Sequence, residues 1–254
     1  MQKTFKLIIL LFTLLNMSLL AEEQTVAKKI SAFTAKYDLL KKSDSVGEAL
    51  RRLEYLDDGS IKYSYKTKAS LFIFTDTREE TSLVQIKENT VIPSHYLFQR
   101  KGTGRDKKYE WTYDLDKNTA VDLKKAKQIN IEFPQRIQDK LSYQLQLQLD
   151  LIKDPTKKEY SFPVISTGGS IKDYSFTNEG EEELVLPYGT IKTIKLKREV
   201  VDKEKITYAW FAPELNYLMV KLYQIKDGKP QFTADLKIVE QDEVSTEQAS
   251  QATH

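Results

Sequence analysis

The sequence predicts a mainly β protein: one large antiparallel, curved or barrel-like sheet of about a dozen strands in meander order, with one central helix. Three observations carry this reading. Thr, Ile, Val and Tyr alternate with charged residues from Phe33 onward, turn-forming residues recur between the alternating runs, and one Leu- and Gln-rich stretch breaks the rhythm.

The alternation is clearest in Ile61-Lys-Tyr63-Ser-Tyr65, Leu83-Val-Gln-Ile86, Tyr109-Glu-Trp111-Thr-Tyr113 and Ile191-Lys-Thr-Ile194-Lys-Leu196. Period two puts apolar residues on one face of a strand and charged ones on the other. Between such runs fall Asp57-Asp58-Gly59, Gly102-Thr103-Gly104, Asn178-Glu179-Gly180 and Asp227-Gly228, residues that tolerate the backbone of tight hairpins. The spacing leaves no room for parallel crossovers, so long hairpins in a meander follow.

Pro134 to Lys153 is the exception. A Pro suited to a first helical turn and a run of good helix formers predict a helix over about 135–153, with Ile137, Leu141, Leu145, Leu149 and Ile152 as its stripe. Leu141, Tyr143, Leu145, Leu147, Leu149 and Leu151 also alternate perfectly, which is the strand template. Propensity and the Pro start favour the helix, with the alternation widening its buried face. The helix would separate two sheet-forming halves, Phe33 to Phe133 and Tyr160 to Val239. Val26 to Phe33 reads as a short additional helix, and the polar tail 241–254 as disordered.

Lys3 and Lys6 precede an apolar run from Leu7 to Leu20, too short to span a bilayer and followed by Ala21-Glu22-Glu23. This is the pattern of a secretory leader, with cleavage expected after Ala21 and residues 22–240 forming one β-rich domain. No Cys is present, which removes disulfides, thiolate metal sites, Cys nucleophiles and a lipid-modified N-terminal Cys. The expected product is periplasmic, not lipid-anchored, with no transmembrane segment after processing. Without the leader's two lysines, 37 basic residues balance 37 acidic ones, so no global attraction to nucleic acid is indicated.

Pro187-Tyr-Gly189-Thr-Ile-Lys-Thr-Ile-Lys-Leu-Lys-Arg198, followed by Tyr208-Ala-Trp210-Phe-Ala-Pro213-Glu-Leu-Asn-Tyr217, resembles the hallmark region of the domain of unknown function 3108 family of exported bacterial envelope proteins. Gln138-Asp139-Lys-Leu141-Ser142 is similar to that family's "x-D-x-L-S" element, and Tyr109-Glu-Trp111 to its aromatic strand. The resemblance implies a mainly β envelope protein with a curved or barrel-like sheet. It implies no reaction, so no catalytic residue is carried over.

Candidate chemistry is sparse. His95 stands beside Ser94, but neighbours on a strand point to opposite faces, and a strand His next to Pro93 explains it. One His in the body and no Cys leave no metal set of the usual kind. Glu179, Glu181, Glu182 and Glu183 flank a Gly180 turn and read as a solvated hairpin end. Asp139 and Ser142 read as polar positions at a helix start, where a carboxylate suits the dipole. Gly102 and Gly104 suggest a phosphate loop, yet no GK[ST] follows. Arg100, Lys101, Arg105, Lys107 and Lys108 make a basic hairpin tip, a candidate contact for anionic lipid headgroups or an acidic polymer. Trp111 and Trp210, among 14 Tyr and 11 Phe, are candidate cavity aromatics. A barrel of a dozen strands exceeds the ~8 that side chains alone just fill.

The expected function is therefore a non-enzymatic envelope protein binding an apolar or amphipathic, lipid-like ligand, with no cofactor and no metal. Two alternatives stand beside it: a structural module docking on envelope proteins, and a carboxylate-based polysaccharide hydrolase needing two convergent acids.

Overall fold

The computed structural model describes residues 30–42, 44–71 and 73–241. The expected leader with its Ala21 cut, most of the expected Val26–Phe33 helix, and the tail beyond Gln241 lie outside these residues. Where that helix would end, Phe33 instead opens the first strand.

Fourteen strands form one sheet, somewhat more than the dozen read from the sequence. In chain order they are β1 Phe33–Lys41, β2 Asp44–Tyr55, β3 Ile61–Leu71, β4 Phe74–Lys87, β5 Thr90–Gly102, β6 Lys107–Asp114, β7 Thr119–Asp122, β8 Lys127–Asn130, β9 Glu159–Ile165, β10 Ile171–Leu186, β11 Gly189–Val200, β12 Lys205–Ala212, β13 Leu218–Lys226 and β14 Lys229–Gln241. The helix α1, Ser142–Lys153, lies between β8 and β9 in the chain. Each strand pairs with its successor except β8 with β9, and β1 and β14 join the two halves antiparallel at the centre of the sheet.

The sheet curls back on itself without a hydrogen-bonded seam, because β8 and β9 are its two edges. At the gap, Gly169 in the β9–β10 turn packs so closely that a Cβ there would lie 2.9 Å from Ile129 of β8 and 3.3 Å from Trp111 of β6. The chain between β8 and α1 covers part of the opening: Gln138 makes a parallel bridge to Val164 of β9.

The helix starts at Ser142, seven residues later than the expected 135. Residues 138–141 are engaged otherwise: the Gln138 backbone pairs with Pro163 and Ile165, and its side chain donates to the Val91 carbonyl. Asp139 Oδ1 then accepts the N–H groups of Leu141 and Ser142, while Ser142 Oγ accepts the Asp139 N–H. This reciprocal arrangement satisfies donors that a helix start leaves unpaired.

Once helical, the Leu/Gln alternation has a clear use. A step of two residues turns a helix by about 200°, so alternate leucines fall on two opposite stripes. Leu145 and Leu149 join the larger hydrophobic cluster with Leu53, Tyr63 and Trp111. Leu147 and Leu151 join a second one with Tyr160, Phe162 and Phe211. The glutamines tie α1 to separate parts of the sheet: Gln144 accepts from Arg51, Gln146 bonds Val91 and Asn89, and Gln148 donates to the Asn216 carbonyl. The helix fills the interior that fourteen strands would otherwise leave open.

Candidate functional site

The inner face of the first half is marked by Ser82, whose hydroxyl donates to Asp139 at the helix start. Pairing registers extend that face to Tyr63, Tyr96 and Trp111, and, by alternation, to Arg51, Tyr65 and Glu80. Arg51 sits in β2 between buried Ala49 and Leu53, itself only 3% exposed.

Its direct contacts are aromatic and amide groups. Nη1 donates to the Tyr63 hydroxyl and to Gln144 Oε1, and the guanidinium lies over the rings of Tyr65 and Tyr63, 4.8 and 5.5 Å from their centroids. Nε is buried with no hydrogen-bond partner. Among the described residues no carboxylate comes within ion-pair distance of it. Buried charges ordinarily carry a counter-charge. Burial opposes the charge of Arg51, but the tyrosine oxygens outweigh it and hold the group above its ordinary pKa.

Two acids lie near. Glu80 accepts from the Tyr96 hydroxyl, and burial raises its pKa. Asp139, fully buried, is raised by the same cause although Ser82, Leu141 and Ser142 donate to it. Both acids are thus biased toward their neutral forms, whereas Arg51 is not.

A second cation acts on Tyr143 at the same helix start. Arg198 of β11 stacks 3.7 Å from the Tyr174 ring centroid, and its Nε is also buried without a partner. Tyr174 meets Tyr143 edge-on at 5.2 Å, and Tyr143, next to Gln144, is pushed up to about 12 by burial. Lys205 has its pKa lowered by burial and by neighbouring Arg198 and Lys140. Gln146 and Gln148 reach Asn89 and Asn216, in the β4–β5 and β12–β13 turns. The start of α1 therefore points to the other end of the sheet, where the β1–β2, β3–β4, β5–β6 and β11–β12 turns lie. Chemically this arrangement offers guanidinium and phenol donors to a group that carries negative charge or accepts hydrogen bonds.

Of the residues singled out from the sequence, Asp139 and Ser142 stand at this helix start and Trp111 on the same inner face, and the others are placed elsewhere. Trp111 is interior and packs at the gap, its indole N–H without a partner. Trp210 is buried in the same large cluster as Trp111, at the strand parity opposite to Ala209 and Phe211, which pack toward α1. Its N–H donates to Glu182, and Lys195 and Lys221 lie over its ring. The Trp210 bond is the main cause that lowers the Glu182 pKa. In the basic tip, Arg100 pairs with Asp76 and braces the Thr103 and Arg105 carbonyls, and Lys108 pairs with Glu110. Lys101, Arg105 and Lys107 are exposed. Ser94 donates to the Leu83 carbonyl while His95 meets Glu110 at 3.2 Å, so the two do not address each other.

Sequence reasoning missed Arg51. The signal was available: Arg51 occupies the same parity as Ala49 and Leu53 in an alternating run, an inward-facing charge. On the outer face, a shallow groove of about 390 Å³ is lined by Lys36, Asp38, Lys66 and Lys237 among others. Three of its four lysines, Lys36, Lys66 and Lys237, pair with Glu240, Glu79 and Asp38, so it reads as a solvated face. Among the described residues no group of three or more His, Asp or Glu is placed to hold a metal ion, and no helix is long and apolar enough to cross a membrane.

A family model and a solved fold match the chain. The family described as "Protein of unknown function (DUF3108)" matches residues 60–237. No curated protein matches the chain. The crystal structure of a beta-barrel-like protein of domain of unknown function DUF1849 from Brucella abortus aligns with a TM-score of 0.55 at 9% identity, covering 84% of this chain and 99% of that one. A Bacteroides fragilis protein with a YmcC-like fold aligns at a TM-score of 0.30 and 9% identity, over 83% of this chain and 96% of that one.

Proposed function

Since this chain belongs to the DUF3108 family, whose description names no activity, we propose its role from the site itself: a non-enzymatic, exported envelope protein that binds the polar head of an amphipathic, lipid-like ligand at the Arg51 cluster. The observation that carries the reading is Arg51, a buried guanidinium with an unpartnered Nε and, among the described residues, no carboxylate within ion-pair distance. An anionic head supplies the missing counter-charge. Tyr65, Tyr143 and Tyr174 give the ligand's adjoining part an amphipathic wall. Because α1 occupies the deeper interior, the ligand enters head first and its apolar part stays toward the open end. The seven-residue-later helix start matters here, since it leaves Lys140 and Tyr143 beside Glu80.

The test is lipid extraction and mass spectrometry of protein purified from the exported fraction, wild type against Arg51→Gln. The reading expects an amphiphile with the wild type and at least about a tenfold reduction in the variant, the scale of one charge-assisted bond. Equal recovery from a folded variant overturns it. Recovery of a protein and no lipid would favour the docking-module alternative.

A further inference from the structure

We propose that the end of the sheet carrying the β3–β4 and β5–β6 hairpin tips is a docking surface for an anionic lipid bilayer. This inference is independent of the ligand reading, since it rests on different residues. Ile73 and Phe74 form part of the β3–β4 tip and are 84% and 56% exposed. Such large apolar side chains at the apex of a hairpin gain nothing from the sheet, and burial in an acyl boundary is the environment that matches them.

The neighbouring tip supplies the charge. Thr103 N–H donates to the Thr75 carbonyl and Thr75 N–H to Thr103 Oγ1, so the two hairpins are tied side by side beyond their regular pairing. Gly102 makes this approach feasible: its φ is +142°, and a Cβ there would lie 2.2 Å from the Thr75 oxygen. Apolar and basic tips therefore move as one tile. Lys101, Arg105 and Lys107 project from it exposed and, among the described residues, outside any ion pair, whereas Arg100 is held by Asp76 and Thr103 and serves as a brace. Cations unspent on the protein are free to meet lipid phosphates.

The rest of the molecule has the polarity this orientation needs. Lys42 in the β1–β2 turn and Lys124 and Lys125 in the β7–β8 turn stand at the same end, by the order of the meander. Asp57, Asp58, Asp116 and Glu214 occupy turns at the opposite end. The chain is close to neutral overall, but its two ends differ in sign, which orients it at a negative surface.

Sedimentation with vesicles of phosphatidylethanolamine and phosphatidylglycerol, against phosphatidylcholine vesicles, tests the proposal on exported wild-type protein. Binding to the anionic vesicles, weakened by raised salt, is expected, with little binding to phosphatidylcholine. Lys101→Glu, Arg105→Glu and Lys107→Glu combined should lower anionic-vesicle binding by at least about tenfold. Ile73→Asn with Phe74→Asn should leave the salt-sensitive encounter and abolish the binding that persists at high salt. These positions are exposed, so unchanged thermal unfolding checks each variant. Equal binding of both vesicle types, no binding by the wild type, or variants that bind as the wild type does would overturn it.

Discussion

Leu145 and Leu147 stand two residues apart on α1 and pack into different hydrophobic clusters. A helix lying on a sheet hides one stripe; this one is buried on two. Leu145→Ala and Leu147→Ala should each destabilise by about 2 to 5 kcal/mol, measured by urea unfolding. A nearly neutral Leu147→Ala would contradict the two-sided helix.

Asp139 holds the helix start against β4. Asp139→Ala removes the acceptor for two backbone donors and for the Ser82 hydroxyl. Loss of a cap costs about 1 kcal/mol, and each buried donor left unpaired adds about 1 to 3 kcal/mol. We expect a loss of at least about 2 kcal/mol for Asp139→Ala and a smaller one for Asp139→Asn, which keeps an acceptor. Equal losses for the two would show that the hydrogen bonds are not what the site needs.

The raised pKa of Glu80 fixes the sign of a pH effect. Burial is the main cause, opposed by the hydrogen bond from Tyr96. The folded state holds the proton more tightly than the unfolded state does. Stability from this group is therefore complete below the ordinary value of 4.5 and falls as pH rises from there through the raised folded pKa. Glu80→Gln keeps an acceptor for Tyr96 and cannot ionise. The melting temperature of the variant should gain on the wild type across that window and hold a constant lead above it; a gap that does not change with pH refutes the assignment.

Gly169 reports on how the curled sheet meets itself. Gly169→Ala places a Cβ against Ile129 and Trp111 at a φ of +85°, whereas Gly180, at a φ of +95°, has nothing within 4 Å. Both substitutions strain the backbone, but only the first presses on β8 and β6. Gly169→Ala should cost more, and Ile129→Ala should recover part of that excess. Equal costs for the two glycines, with no coupling to Ile129, would mean the edges are not packed together.

Much of the fold was legible because the alternation is a local consequence of a half-buried sheet. Ile61, Tyr63 and the Tyr109-to-Tyr113 run fall on strands as read, and the helix separates two halves of the sheet. The helix start was not legible, since Pro134 and the leucine stripe carry no sign that Gln138 would bridge β9. The site was legible only in part. Trp210 stands at the strand parity opposite to Phe211, and pairing register decides which of the two packs toward α1. Arg51 showed its inward parity in the sequence, but that Tyr63, Tyr65 and Gln144 would gather around it depends on long-range pairing between β2, β3 and α1.

The most direct measurement is of Arg51 itself. Titration of isotope-labelled protein with a short-chain phosphatidylglycerol, followed through the arginine Nε–H resonances, should shift the signal absent from Arg51→Gln, and that variant should bind the probe at least about tenfold more weakly. An Arg51 resonance that does not move, with equal affinity in the variant, would contradict the account.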